Sequence, residues 1–207
     1  MKILRNKKAS KLLAYYATNF GYKQPYQVLV DATFCQAALQ NKVAVEDQLK
    51  KYLQTDLRCF TTQCIILEAE HLGQPLIGAT RIVKQFSVFK CGHEGKPIGG
   101  SDCVRDMVKV SKFIVTTQDR SLQHYLRQIP GQALLYLHRS APVLEPPSKK
   151  TKDIASQKIS SLLTKAQKTL RKDPVHTDIL TNKKRKKPKN PNPLSCKKKK
   201  IVKNGKV

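Results

Sequence analysis

Four carboxylates and a group of cysteines and histidines carry whatever chemistry this chain performs. Asp31 closes the apolar run Gln27–Val30, and Asp119 follows the apolar run Phe113–Thr117. Glu68 lies in a helix-like stretch after a second strand-like run, and Asp102 opens a helix after a glycine-rich loop. In open α/β sheets ligands collect beyond the carboxyl ends of the strands, where Asp31 and Asp119 fall directly and Glu68 and Asp102 can point in from helix starts. Carboxylates held together repel one another and need a cation. Oxygen-only donors suit Mg²⁺ or Mn²⁺, which can generate hydroxide and stabilise the leaving oxygen of a cleaved phosphodiester. Taken singly, Asp102 and Asp119 are helix caps and Glu68 is a surface residue beside Glu70; taken together they are a candidate acidic pocket.

A second constellation is sulfur-rich. Cys91-Gly92-His93 and Cys103 put two thiols and an imidazole within thirteen residues, across a loop containing Gly92, Gly95, Pro97, Gly99 and Gly100. A closed tetrahedral zinc site needs one more ligand. Cys64, at the start of the helix that carries Glu68, and Cys59, in the strand before it, are the two candidates. Cys64 is favoured because a helix N-terminus lowers a thiol pKa, whereas Cys59 reads as a small core residue. Such an ion would pin a loop that has little apolar content of its own. Cys35 reads as buried and Cys196 as a thiol of the tail. No Walker loop or G-x-S-x-G motif is present, and His71, His124, His138 and His176 have no evident nucleophile to serve.

The elements that must position these groups follow from periodicity. Lys2–Asn19 reads as a basic amphipathic helix, with Leu4, Lys8, Lys11 and Tyr15 at helical spacing, lying against the body or against RNA and ending before Gly21. Gln27–Asp31 reads as a buried parallel strand. Helices are expected over Thr33–Gln40, Val45–Gln54 (with an Asp47–Lys51 pair), Gln63–Leu72 and Pro75–Phe86. A further helix starts at Ser101 or Asp102 as N-cap, and another runs Arg120–Gln128. Leu57–Thr61, Phe113–Thr117 and a last strand Ala133–Leu137 complete an α/β body with a mostly parallel sheet. Pro142, Pro146 and Pro147 mark the break to the tail, in which Lys149–Lys172 reads as a helix without a visible partner. The Lys183–Lys189 and Lys197–Lys200 blocks read as disordered, and the first also suits nuclear import.

Charge sets the partner class. The chain of 207 residues carries a formal net charge of +26. Residues 1–25 hold six basic and no acidic residues, residues 26–145 fourteen basic and eleven acidic, and residues 146–207 twenty basic and three acidic. A nearly neutral body with two cationic arms is suited to polyanions, which it binds by releasing condensed counterions. A DNA-directed nuclear role is the weaker form of that reading, because RNA and DNA differ at the 2′-hydroxyl. No stretch approaches the roughly 20 apolar residues of a membrane span. The basic start, Met1-Lys2-Ile3-Leu4-Arg5, is not a secretory signal core, so thiols or metal ligands are expected of the six cysteines rather than disulfides.

The segments Tyr26–Asp31, Thr61-Thr62-Gln63-Cys64, Cys91-Gly92-His93 with Asp102-Cys103, Val115–Asp119 and Arg127–Gly131 resemble the PIN-domain proteins of the small-subunit processome. The resemblance covers about residues 1–147. It implies a PIN-like three-layer α/β/α sandwich over 25–147 with an inserted zinc loop, a basic helix over 1–24 and a Lys-rich tail over 148–207. By position it implies a metal-binding acid set of Asp31, Glu68, Asp102 and Asp119, with Asp106 as a possible substitute for Asp102, and zinc ligands Cys64, Cys91, His93 and Cys103. The implied function is early 18S rRNA processing in the nucleolus, with pre-rRNA, small nucleolar RNA and processome proteins as partners. Members of this branch often carry incomplete acid sets and act as RNA-binding assembly factors, so an RNA-binding factor and a metal-dependent endoribonuclease both follow as expectations.

Overall fold

The computed structural model describes the backbone of residues 2–172 and the side chains of residues 4–164. The expectations for Cys196, His176 and the lysine blocks lie outside the described residues.

Two stretches of consecutive buried residues, Val28–Val30 and Phe113–Val115, mark the centre of the sheet, because a strand covered on both faces has no polar side. These are β1 (Tyr26–Val30) and the start of β4 (Ile114–Thr116), which pair in parallel. Around them β2 (Leu57–Thr62), β3 (Ser87–Phe89), β5 (Ala133–His138) and β6 (Ala141–Leu144) complete a six-stranded sheet of order β3-β2-β1-β4-β5-β6. All neighbours are parallel except β5 and β6, which are antiparallel. Strand order reverses between β1 and β4, creating a crevice beyond their carboxyl ends.

The remaining elements are α1 (Lys2–Phe20), α2 (Ala32–Gln40), α3 (Val45–Leu53), α4 (Gln63–His71), α5 (Ile77–Val83), α6 (Gly100–Val110), α7 (Arg120–Gln128) and α8 (Lys149–Lys172). Of these, α2 and α4 start one residue past β1 and directly past β2, and α7 follows β4 after three residues, so their first turns rim the crevice.

Several local expectations are corrected. The buried stripe of α1 is Ala9, Leu13 and Tyr16, not the Leu4–Tyr15 row; Leu4 is 73% exposed. Tyr16 packs edge-on against Tyr22 across the Gly21 turn, where the positive φ of +77° suits glycine, and this fixes which face turns inward. The ion pair on α3 is Glu46–Lys50 at 2.7 Å rather than Asp47–Lys51. Residues 75–86 form a 3₁₀ turn (Gln74–Leu76) and the short α5, because Pro75 occupies the first turn of the former.

The short strands β3 and β6 were not expected. Pro142 lies within β6 rather than beyond the body, on an edge strand where a missing N–H leaves no ladder bond unmade. The first turns of α8 do have a partner: Thr151 and Ala155 are buried, and Thr151 Oγ1 accepts from the Gly131 N–H at 3.1 Å.

Candidate functional site

At the carboxyl end of β1, Asp31 is buried, and its carboxylate accepts hydrogen bonds from the hydroxyls of Thr33 and Thr117, the latter at 2.7 Å. Burial pushes its carboxyl up from the ordinary value. The Thr33, Thr117 and Ala32 hydrogen bonds oppose that rise, and the Glu68 charge reinforces it. Asp31 and Glu68 therefore sense one another, as a shared pocket requires.

Asp119 stands across the crevice. Its Oδ1 accepts from the Ser121 N–H and its Oδ2 from the Ser101 hydroxyl at 3.2 Å. Against the burial that would raise it, these bonds, with the Ser121 hydroxyl and the Leu122 N–H, hold its carboxyl below the usual range. Thr117 ties the two acids into one network, since its hydroxyl also accepts the Asp119 N–H at 3.1 Å.

Glu68 reaches the crevice from α4 by accepting the Gly100 N–H, and a Cβ at position 100 would collide with its Oε2. The expected N-cap at Ser101 or Asp102 is not made. Gly99 is the cap residue, Glu68 takes the leading N–H, and Ser101 is committed to Asp119. Asp102 points elsewhere: its side chain is 63% exposed and pairs with Arg105 at 2.9 Å. Asp106, the possible substitute, pairs with Lys109 at 2.9 Å and faces His93. The fold thus brings Asp31, Glu68 and Asp119 to one end of the sheet and leaves Asp102 at its margin. Among the described residues, the acids do not form a group of three or more within metal-sharing distance.

The sulfur cluster does converge. The ligand atoms of Cys64, Cys91, His93 and Cys103 all lie within 4.8 Å of one another, with Cys64 Sγ and Cys91 Sγ 3.8 Å apart. Cys64 sits in the first turn of α4 and Cys103 in the first turn of α6, and the loop after β3 carries Cys91 and His93 to them. Cys59 belongs to the core, where burial pushes its thiol up to about 12. Burial also raises Cys64 and Cys103, the latter to about 12, while the His93 N–H and the neighbouring thiols bring Cys91 below its ordinary value despite burial. Three sulfurs this close cannot all ionise without a cation between them.

His93 Nδ1 is buried with no hydrogen-bond partner, whereas Nε2 lies 3.6 Å from Asp106 Oδ2. Nδ1 is therefore the nitrogen available to an ion, and Asp106 is the group that orients the ring. The cluster can hold one metal ion. Sequence reading did not single out the hydroxyls of Thr33, Ser101 and Thr117, nor the pairing of Asp106 with His93; the tandem Thr116-Thr117 directly after an apolar run was the available signal.

The switch-point sheet, with acids gathered past β1 and β4, defines a PIN-type domain. The structure superposes on that of the PIN domain endonuclease Utp24 with a TM-score of 0.56 at 29% identity, over 60% of this chain and 94% of that one. Residues 51–146 match the Fcf1 family, and residues 182–200 match the UTP23 sensor motif. The chain is 32% identical to the rRNA-processing protein utp23 of Schizosaccharomyces pombe over 96% of its own length and 88% of the relative's. It is 34% identical to the rRNA-processing protein FCF1 homolog of Mus musculus over 62% of its length, a match that spans 64% of that relative. The chain belongs to the Utp23 branch of the Fcf1 family of PIN-domain rRNA-processing proteins.

Proposed function

We propose that the protein is a ribosome biogenesis factor that binds pre-rRNA and small nucleolar RNA during early 18S rRNA processing, in the nucleolus and within the small-subunit processome. The observation that carries this reading is the placement of charge. Residues 146–207 hold twenty basic and three acidic residues beside a body that is nearly neutral. The relatives' names, rRNA-processing protein utp23 and FCF1, agree with it.

The ion favoured for the sulfur cluster is zinc, in a structural role. Four ligands at a zinc–sulfur distance of about 2.3 Å form a tetrahedron with edges of about 3.8 Å, and the Cys64–Cys91 separation is 3.8 Å. Held there, the ion joins α4, α6 and the loop after β3, and so sets the position of Glu68 and Ser101 beside the crevice.

The test is a truncation after residue 172, which spares the docked turns of α8. It removes twelve basic and two acidic residues. Binding to single-stranded RNA should weaken, and its salt slope should flatten by at most about 8, at about 0.7 for each phosphate no longer neutralised. Unchanged affinity and slope would refute the reading.

A second reading, a metal-dependent endoribonuclease, is favoured by one observation: Asp31, Glu68 and Asp119 stand at the same end of the sheet. Mg²⁺ or Mn²⁺ would then be held by those three with Asp102. That reading requires Mn²⁺-dependent RNA cleavage that Asp31→Asn and Asp119→Asn each abolish. Against it stands Asp102, whose carboxylate is turned to Arg105.

A further inference from the structure

We propose that the protein holds single-stranded RNA at a second place, a basic groove across the N-terminal ends of β1 and β2, at the far end of the sheet from the acids. The proposal rests on the RNA-binding function proposed above and locates a contact on the folded body. The groove encloses about 470 Å³, within the range of sites that accept a nucleotide-sized ligand. One wall is the Gly21–Pro25 turn leading into β1, and the other is the Ser111–Lys112 turn leading into β4. On the floor, Gln27 and Arg58 are register partners on adjacent parallel strands, and Phe60, two residues beyond Arg58, shares their face.

Two features make this a polyanion site. Lys23, Arg58 and Lys112 are all exposed, and no carboxylate lines the groove with them. Among the described residues none of the three takes part in an ion pair, whereas Lys50, Lys84, Arg105, Lys109 and Arg127 are each paired with an acid. Uncompensated cations around a concavity focus positive potential and attract phosphate. The second feature is aromatic: half-buried Phe60 is held edge-on by Phe89 and Phe113, at ring separations of 5.8 and 6.4 Å. A fixed aromatic ring among cations is what unpaired bases use for stacking, and bases in a duplex are not available for it. Gln27 lies four residues before Asp31, about 13 Å along the strand, so RNA in this groove and RNA over the carboxylates occupy separate places.

The test uses the full chain and a fluorescent single-stranded RNA of about twelve nucleotides, titrated across a range of salt. The groove variant K23Q/R58Q/K112Q is compared with K42Q/K51Q/R81Q, which removes the same charge from exposed positions elsewhere. The groove variant should lose affinity and about 2 units of salt slope, at about 0.7 for each of three phosphates, while the control keeps the slope of the unsubstituted chain. Phe60→Leu should lower affinity about fivefold or more, the loss of one stacked base, with the slope unchanged.

Photocrosslinking of 4-thiouridine RNA to the unsubstituted chain should label peptides containing Lys23–Gln27, Arg58–Phe60 or Ser111–Lys112. This arm decides the matter if the groove variant does not fold. A folded groove variant with the slope of the control overturns the groove, as does an absence of these crosslinks where the variant is unfolded. If the unsubstituted chain binds no single-stranded RNA at all, the RNA-binding function itself fails, and that outcome is distinct from either.

Discussion

Removing the ion from the Cys64–Cys91–His93–Cys103 cluster should lower the melting temperature by a calculable amount. Between Lys90 and Gly99 no residue is fully buried, so the loop has almost no apolar packing to hold it once ligation is removed. An ion present at about 1,000 times its dissociation constant stabilises the folded chain by about 4 kcal/mol. For a domain of this size each kcal/mol shifts the melting temperature by about 2–4 °C, giving a fall of about 8–16 °C on chelation. The assay is a thermal melt before and after chelation and dialysis, paired with elemental analysis of the protein as purified. One equivalent of zinc is expected. Cys64→Ser should abolish retention and reproduce the lowered melting temperature, while Cys59→Ala should keep the metal and lose only core packing. Purified protein holding well under one equivalent, or a melting temperature unmoved by chelation, would refute the reasoning, as would metal loss from Cys59→Ala but not from Cys64→Ser.

Asp106→Asn should weaken metal retention by about 10–100-fold in competition with a chromophoric chelator, since it removes the group that orients the His93 ring; unchanged retention would show that the 3.6 Å approach is incidental. Asp31→Asn should stabilise the protein at neutral pH in buffer free of Mg²⁺ and Mn²⁺. Its folded pKa is raised above the unfolded value of 3.8, so ionisation destabilises the fold increasingly as pH rises through that window. The advantage of the variant in urea unfolding should therefore close as pH falls below 3.8. Tyr22→Phe should destabilise by about 1–3 kcal/mol in the same measurement, because the buried hydroxyl donates to the Gly131 carbonyl at 3.0 Å and accepts from the Ala133 N–H at 3.1 Å.

The sheet was legible because its central strands are buried on both faces. Val28–Val30 and Phe113–Val115 need no tertiary information to be recognised as core strands, and a parallel sheet then dictates that Asp31 and Asp119 stand at one end. The short strands β3 and β6 were not legible: three or four residues on a sheet edge have too little periodicity, and Pro142 argued against one of them.

The sequence by itself thus determined the fold class, the basic flanks and the residue types at both candidate sites, because burial patterns and net charge are local properties. Only the tertiary structure decided which of those residues meet. Cys64 rather than Cys59 reaches the cluster because β2 runs straight into α4, placing one cysteine in the core and the other in the helix's first turn beside α6. Asp102 is drawn to Arg105 while Ser101 turns to Asp119, and this depends on the rotation of α6 once Glu68 has taken the Gly100 N–H. The basic groove joins Lys23, Arg58 and Lys112 from three distant segments, which become neighbours because the strand order reverses at β1.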